Sequence, residues 1–370
     1  MDKGLTPRQA VILLGCAMLA TKFQRLPAII SERYGRDSWL VLLIWLVIDS
    51  IILMLSLWAF YKLKNKSFFE LVEEKCGKFV KILLCIFLWF FFFIKSNLTY
   101  KATHEFFANT LFDKLSWELF SPLLLVVLFI MVKNGINVIA RSSEFYSALI
   151  LVGVVSVVLL GVTNSDFARL TPILDQNFWQ GVKDSYHFDA FFSDYVFVIM
   201  LIGSIKLKKE NEYKKLYRSI VLTFFGVGLF IVFFFMVFYA VNEYLAEAQV
   251  LALSAITQYS FSGLSIGRPD WILVMLAFLS TIITTAFFVW CTTLCVKEIF
   301  GIKKSFWIAL INLIILYVGD VFVFSNIEAT SNFILQNASV VMIIISLFVP
   351  AFLLAIAIFS KKKKGRRHYA

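Results

Sequence analysis

The chain has 370 residues, of which 60% are hydrophobic, 17% aromatic and only 16% charged, a balance that excludes an ordinary soluble domain. Its formal net charge of +11 is no nucleic-acid footprint, because the cations collect in alternate gaps between apolar runs, as short cytoplasmic loops do. Five cysteines, at 16, 76, 85, 291 and 295, fit neither a zinc site nor a disulfide scaffold, and no cofactor is expected.

Taken in chain order, the apolar runs predict an all-α polytopic membrane protein, since about 20 helical residues cross a bilayer. The first span covers about residues 7–31, with Thr6 as cap, Pro7 in the first turn and Gln9 closing a capping box. Met1 to Gln9 lacks the pattern of a cleavable signal, so this span is expected to stay as an anchor. A second span at about 38–62 opens at Asp37 and Ser38. Ser67 to Val80 alternates Phe and Leu with Glu and Lys, which predicts a helix lying on the cytoplasmic membrane surface. Spans follow at about 80–101, 118–133, 138–162, 188–206, 217–242, 270–297, 305–325 and 335–360. Two longer outer segments, 163–187 and 242–269, separate some of them.

That makes about ten spans in one domain, 1–370, with both termini on the side of the basic tail 361–370, the cytoplasm. Ten divide as five plus five: an odd-numbered half inverts the second copy, so 1–162 and 188–360 are expected to be inverted repeats.

Charge inside a span is the informative exception, because an ionisable group at mid-membrane costs at least about 2.5–3.5 kcal/mol. The first span carries Lys22 and Arg25 just before Pro27, which removes a backbone donor and interrupts the helix near Phe23. Thr21, Lys22, Gln24 and Arg25 therefore sit where backbone and side chains could meet a ligand, although both cations could instead snorkel to the outer interface. The equivalent sixth span carries Phe192, Ser193 and Asp194; Asp189 is expected nearer the interface. Asp194 is either a ligand-binding carboxylate or the partner of Lys22, Arg25 or Lys95, and one pair could serve both ends. Lys95 and Asp49 could form a second buried pair, and Arg141 with Glu144 a surface one. The histidines at 104, 187 and 368 are expected in loops or the tail, without a metal. No phosphate loop, nucleophile elbow or zinc-protease motif is present, so enzymatic catalysis is not expected.

At these residues the chain resembles a known family. Leu5-Thr6-Pro7-Arg8-Gln9, Leu26-Pro27, Gly35-Arg36-Asp37-Ser38-Trp39-Leu40, Ser67 to Val80, Gly135 to Glu144 and Phe192-Ser193-Asp194 resemble, in order, the B-subunit family of spore germination receptors. The resemblance implies the amino acid–polyamine–organocation superfamily fold, ten spans with helices one and six broken. It also implies residence in the inner membrane of the endospore and recognition of a small nutrient such as an amino acid. A lipoprotein and a larger membrane subunit would be companions. Carried over by position, the ligand region is Ala20 to Pro27 with Phe192 to Asp194, where Ala20, Lys22, Arg25, Ser193 and Asp194 depart from the family's pattern. Two functions fit: a receptor subunit that signals germination, or an autonomous proton- or cation-coupled amino acid permease.

Overall fold

A computed structural model describes residues 4–107, 117–174, 178–205, 207, 209–249, 251–260, 270–302, 305–323 and 333–366. Among them the architecture is all-helical, and the isolated β-type pairing is that of Leu5 with Ile205. In chain order the helices are α1 (Pro7–Lys22), α2 (Leu26–Tyr34), α3 (Ser38–Lys62), α4 (Phe68–Cys76), α5 (Lys78–Phe106), α6 (Trp117–Lys133) and α7 (Ile136–Thr163). After them come α8 (Phe178–Asp184), α9 (Tyr195–Ile202), α10 (Glu210–Asn242), α11 (Ala252–Ser260), α12 (Asp270–Phe300), α13 (Phe306–Val318) and α14 (Ser339–Arg366).

Among the described residues seven stretches are long and apolar enough to cross a membrane: Leu26–Lys62, Lys78–His104, Ile136–Thr163, Val182–Ile202, Glu210–Leu245, Ile272–Phe300 and Phe333–Phe359. The other expected spans fall on shorter apolar helices, Ser121–Lys133 and Phe306–Phe322, and on α1, which its break limits to 16 residues. The expected helix starts hold where side chains set them. Thr6 accepts from the Gln9 N–H at 3.3 Å while the Gln9 side chain accepts from Thr6, and Ser67 and Glu70 repeat this box at α4. At α3 the expected cap differs, because the Asp37 carboxylate is taken by the Leu174 N–H at 3.2 Å. The amphipathic surface helix also ends earlier than expected: Gly77, at φ 90°, turns the chain so that Val80 already belongs to α5.

Helices 1 and 6 of the expected order lie inside the rest. The Val182–Ile202 stretch is 89% buried against 33% for Ile136–Thr163, whose Leu151, Val152 and Leu159 point outward as lipid-facing residues do. α12 packs along α5 and α7, α10 along α3, and α1 touches α7, α10 and α12. In lipid, where burial drives helix association weakly, close approach does the work. A Cβ at Gly153 would sit 2.7 Å from the Leu273 carbonyl oxygen, so only glycine lets α7 and α12 come this near.

Candidate functional site

The first break is built by three neighbours. Beyond Lys22 the chain leaves the helix over Phe23, Gln24 and Arg25, and α2 restarts at Leu26 with Pro27 in its first turn. Pro27 cannot donate, and its ring conflicts with the carbonyl four residues earlier. The Gln24 carbonyl, freed from helical bonding, accepts from the Ala252 N–H of α11 at 2.9 Å. The Gln24 side chain donates to the Thr281 hydroxyl on α12, and the Phe23 ring stacks on Phe234 of α10 with centroids 4.2 Å apart.

The second break has no proline or glycine. A 3-10 segment, Ser185–Phe191, leads through Phe192 and Ser193 to α9, with Asp194 at its N-cap. Ser193 adopts the left-handed φ of 61°, a strained conformation for a residue with a Cβ. Its N–H donates to Asp49 Oδ2 at 3.0 Å and its hydroxyl to Asp189 Oδ1 at 2.5 Å. The Phe192 carbonyl accepts from Lys95 Nζ at 2.5 Å, and the Phe192 ring lies parallel to Trp45 with centroids 5.0 Å apart.

Between the breaks Lys22 and Asp194 form an ion pair, their side chains 7% and 1% exposed. Each charge also suits its helix end, a cation at the C-terminus of α1 and an anion at the N-terminus of α9. Lys22 is buried in this pair, whereas Arg25 is partly exposed and lines a cavity beside the break.

The candidate residues divide between two spaces. Thr21, Gln24 and Arg25 line a cavity of about 40 Å³ together with Thr99 and Lys101 of α5 and Phe191. Lys22, Phe192 and Asp194 line a smaller space of about 20 Å³ with Asp49 of α3; Ser193 lines neither space but donates to Asp49 and to Asp189, which lies outside the smaller one. Asp49, Asp189, Lys95, Thr99 and Lys101 were not among the expected site residues. The signal for Asp49 and Lys95 was present, a charge deep in an apolar run; nothing in the sequence marks Thr99.

Several expectations change. Asp189 is fully buried rather than interfacial, because Ser193 and Ser346 of α14 donate to it. Asp49 and Lys95 do not pair with each other; both serve backbone groups of the second break. Glu144 bonds Arg8 at 3.1 Å and Gln9 at 3.1 Å instead of Arg141. His104 lies in α5, 3.9 Å from the Asp320 carboxylate that also pairs with Lys101 at 3.4 Å. His187 sits in the 3-10 segment 2.7 Å from the Leu335 carbonyl, and His368 lies outside the described residues. Among the described residues no group of His, Cys, Asp and Glu is arranged to hold a metal ion.

The fold is that of a membrane transporter. It is similar to a Na+-coupled sialic acid symporter solved substrate-bound and outward-open, with a TM-score of 0.54 and 14% identity over 94% of this chain and 78% of that one. No curated protein sequence matches the chain. The family described as "Spore germination protein" matches residues 4–334, which include both breaks and every residue of the two cavities but Leu335. The chain therefore belongs to the spore germination protein family.

Proposed function

We propose that this protein is the membrane subunit of a spore germinant receptor that binds a small, amino-acid-like nutrient at mid-membrane and passes the event on as a conformational signal. The observation that carries the reading is the mostly apolar cavity beside the first break, whose lining includes the polar residues Thr21, Gln24, Arg25, Thr99 and Lys101. A ligand carboxylate in this cavity would meet the cations Arg25 and Lys101 that line it, Lys101 being shared with Asp320 at 3.4 Å, with the N-terminus of α2 adding positive potential. At about 40 Å³ the space holds water and not an amino acid, so binding requires the helices that line it to part. That coupling of occupancy to helix movement is what a sensor needs.

In this reading the chain is one domain of two inverted five-helix repeats, in the cell membrane or the spore's inner membrane, with companion receptor subunits against its lipid-facing sides. The fold of a coupled symporter favours a second reading, an autonomous proton- or cation-coupled amino acid permease. Deleting the chain separates them. The receptor reading expects nutrient-triggered germination to be lost with vegetative amino acid uptake intact; an uptake defect with germination intact supports the permease. In the same assay Arg25→Gln raises the nutrient concentration for half-response at least about tenfold, equivalent to about 1.4 kcal/mol. An unchanged dose–response moves the ligand elsewhere.

Both termini and the lysine-rich segments between residues 62 and 81 are assigned to the cytoplasm. Single cysteines placed in a cysteine-free background test this: position 166 labels from outside sealed cells and position 211 does not. Labelling at 211 reverses the assignment.

A further inference from the structure

Around the smaller cavity, charge does not balance. Asp49, Asp189 and Asp194 bring three carboxyl groups from α3, the 3-10 segment and the N-cap of α9, each at most 3% exposed. Facing them are two ammonium groups, Lys22 from α1 and Lys95 from α5. Among the described residues the remaining packed elements add no charge: α14 offers the Ser346 hydroxyl, α9 the Tyr195 phenol, and α10 the apolar Phe224, Gly228, Ile231 and Val232. Fully ionised, the cluster would hold one uncompensated negative charge inside a membrane protein, where such a charge is costly.

The hydrogen bonds show where compensation belongs. One oxygen of each carboxyl, Asp49 Oδ1, Asp189 Oδ2 and Asp194 Oδ1, is buried without a partner. Asp194 has Lys22 on its other oxygen, and Asp189 receives two hydroxyls. Asp49 receives a single backbone N–H, that of Ser193, and has the least support as an anion. Asp49 and Asp194 also line the same space of about 20 Å³. A cavity of roughly 10–15 Å³ holds one water, so this one has room for a single water with polar partners around it.

We propose that this cluster binds one proton, held on Asp49 at the water-sized cavity it shares with Lys22 and Asp194. The proton sits on the free Asp49 oxygen and donates, through the water, toward the free oxygen of Asp194; Asp49 Oδ2 keeps accepting from Ser193. When the proton leaves to solvent water, Asp49 becomes a carboxylate, and the excess negative charge then competes with Asp194 for Lys22. Loss of the proton thus loosens the ion pair that joins the two broken helices, which makes the proton a ligand of the closed arrangement. This site is separate from the nutrient cavity, and its test needs no nutrient.

The experiment is infrared spectroscopy of the full chain in lipid nanodiscs at neutral pH without nutrient. The expected result is the C=O stretch of a protonated aspartic acid, shifted by deuterium oxide and by carbon-13 aspartate, and reduced by one carboxyl in Asp49→Asn. Asparagine mimics the protonated group, so this variant should accumulate normally. Should it fail to fold, the wild-type pH titration decides alone: one carboxyl deprotonating as the pH is raised supports the site. Absence of the band in the wild type, its full persistence in Asp49→Asn, or its loss when sodium replaces choline at constant pH each overturns the proposal, the last by assigning the site to a metal cation. A flat nutrient response in the Arg25→Gln assay would count against the nutrient cavity and leave this result standing.

Discussion

The two broken helices reach the same outcome by opposite means. The first breaks at a proline and is held from outside itself, by the Ala252 N–H on the Gln24 carbonyl, Thr281 on its side chain and Phe234 on Phe23. The second has no residue that forbids a helix; it breaks because Ser193 is pinned in a left-handed conformation by Asp49 and Asp189. One break therefore carries a proline and is held by uncharged partners, and the other is imposed by ionisable partners elsewhere in the fold. The first should be insensitive to charge chemistry and the second should depend on it.

The largest expected effect concerns the contact where the breaks meet. Lys22→Met strands the Asp194 carboxylate in the interior and should cost about 3–5 kcal/mol of stability. Adding Asp194→Asn to the same protein should return most of that loss, because neither charge then remains. Thermal unfolding of the purified single and double variants measures both values. Costs that simply add would mean the two side chains do not interact.

A smaller effect is expected at the second break alone. Ser193→Val puts a β-branched residue into the left-handed region and deletes the hydroxyl on Asp189, for an expected cost of about 1–3 kcal/mol. Ser193→Gly relieves the backbone while losing the same hydroxyl, so it should unfold well above the valine variant. Equal midpoints for the two would remove backbone strain from the account of this break.

The smallest effect should come from the residue that looks most responsible. Pro27→Ala restores a backbone donor, yet Gln24 and Phe23 are already held by three other helices, so a change below about 1 kcal/mol is expected. Spin labels at positions 20 and 29 report the distance across the break. A lengthening to that of a continuous helix would show that proline, and not its neighbours, keeps the helix open.

This asymmetry also explains what the sequence could convey. Apolar run lengths and capping residues such as Thr6 with Gln9 are local, so helix positions and the first break were legible. Lys22 and Asp194 stood out because charge in an apolar run is rare, but their pairing spans the whole distance between two segments of the chain. The burial of Asp189 was not legible: its position near the start of an apolar run resembles an interface residue, and the hydroxyls of Ser193 and, from α14, Ser346 help make the interior tolerable for it. Nor was the division of the candidate residues between two cavities, since adjacent residues of an interrupted helix such as Thr21 and Lys22 face different ways for reasons set by their neighbours.

The far end of α9 has a mechanical consequence. Gly203, one residue past that helix, has no room for a side chain: a Cβ there would come within 2.6 Å of the Ser67 Cβ that starts the surface helix α4. The Ser204 carbonyl accepts from the Leu5 N–H at 3.0 Å, joining the same spot to the stretch before α1. α4 is itself tethered, since Lys81 of α5 reaches Glu73 at 2.6 Å and Glu298 of α12 at 3.2 Å. That lysine holds the Glu73 carboxyl below its ordinary range, so the tether persists into mild acid and is released as the pH falls through the lowered value. A displacement of α9 cannot be absorbed silently at this end. It would bear on α4 and on the stretch before α1, the two segments that meet α9 at this end, so movement in the interior would reach both.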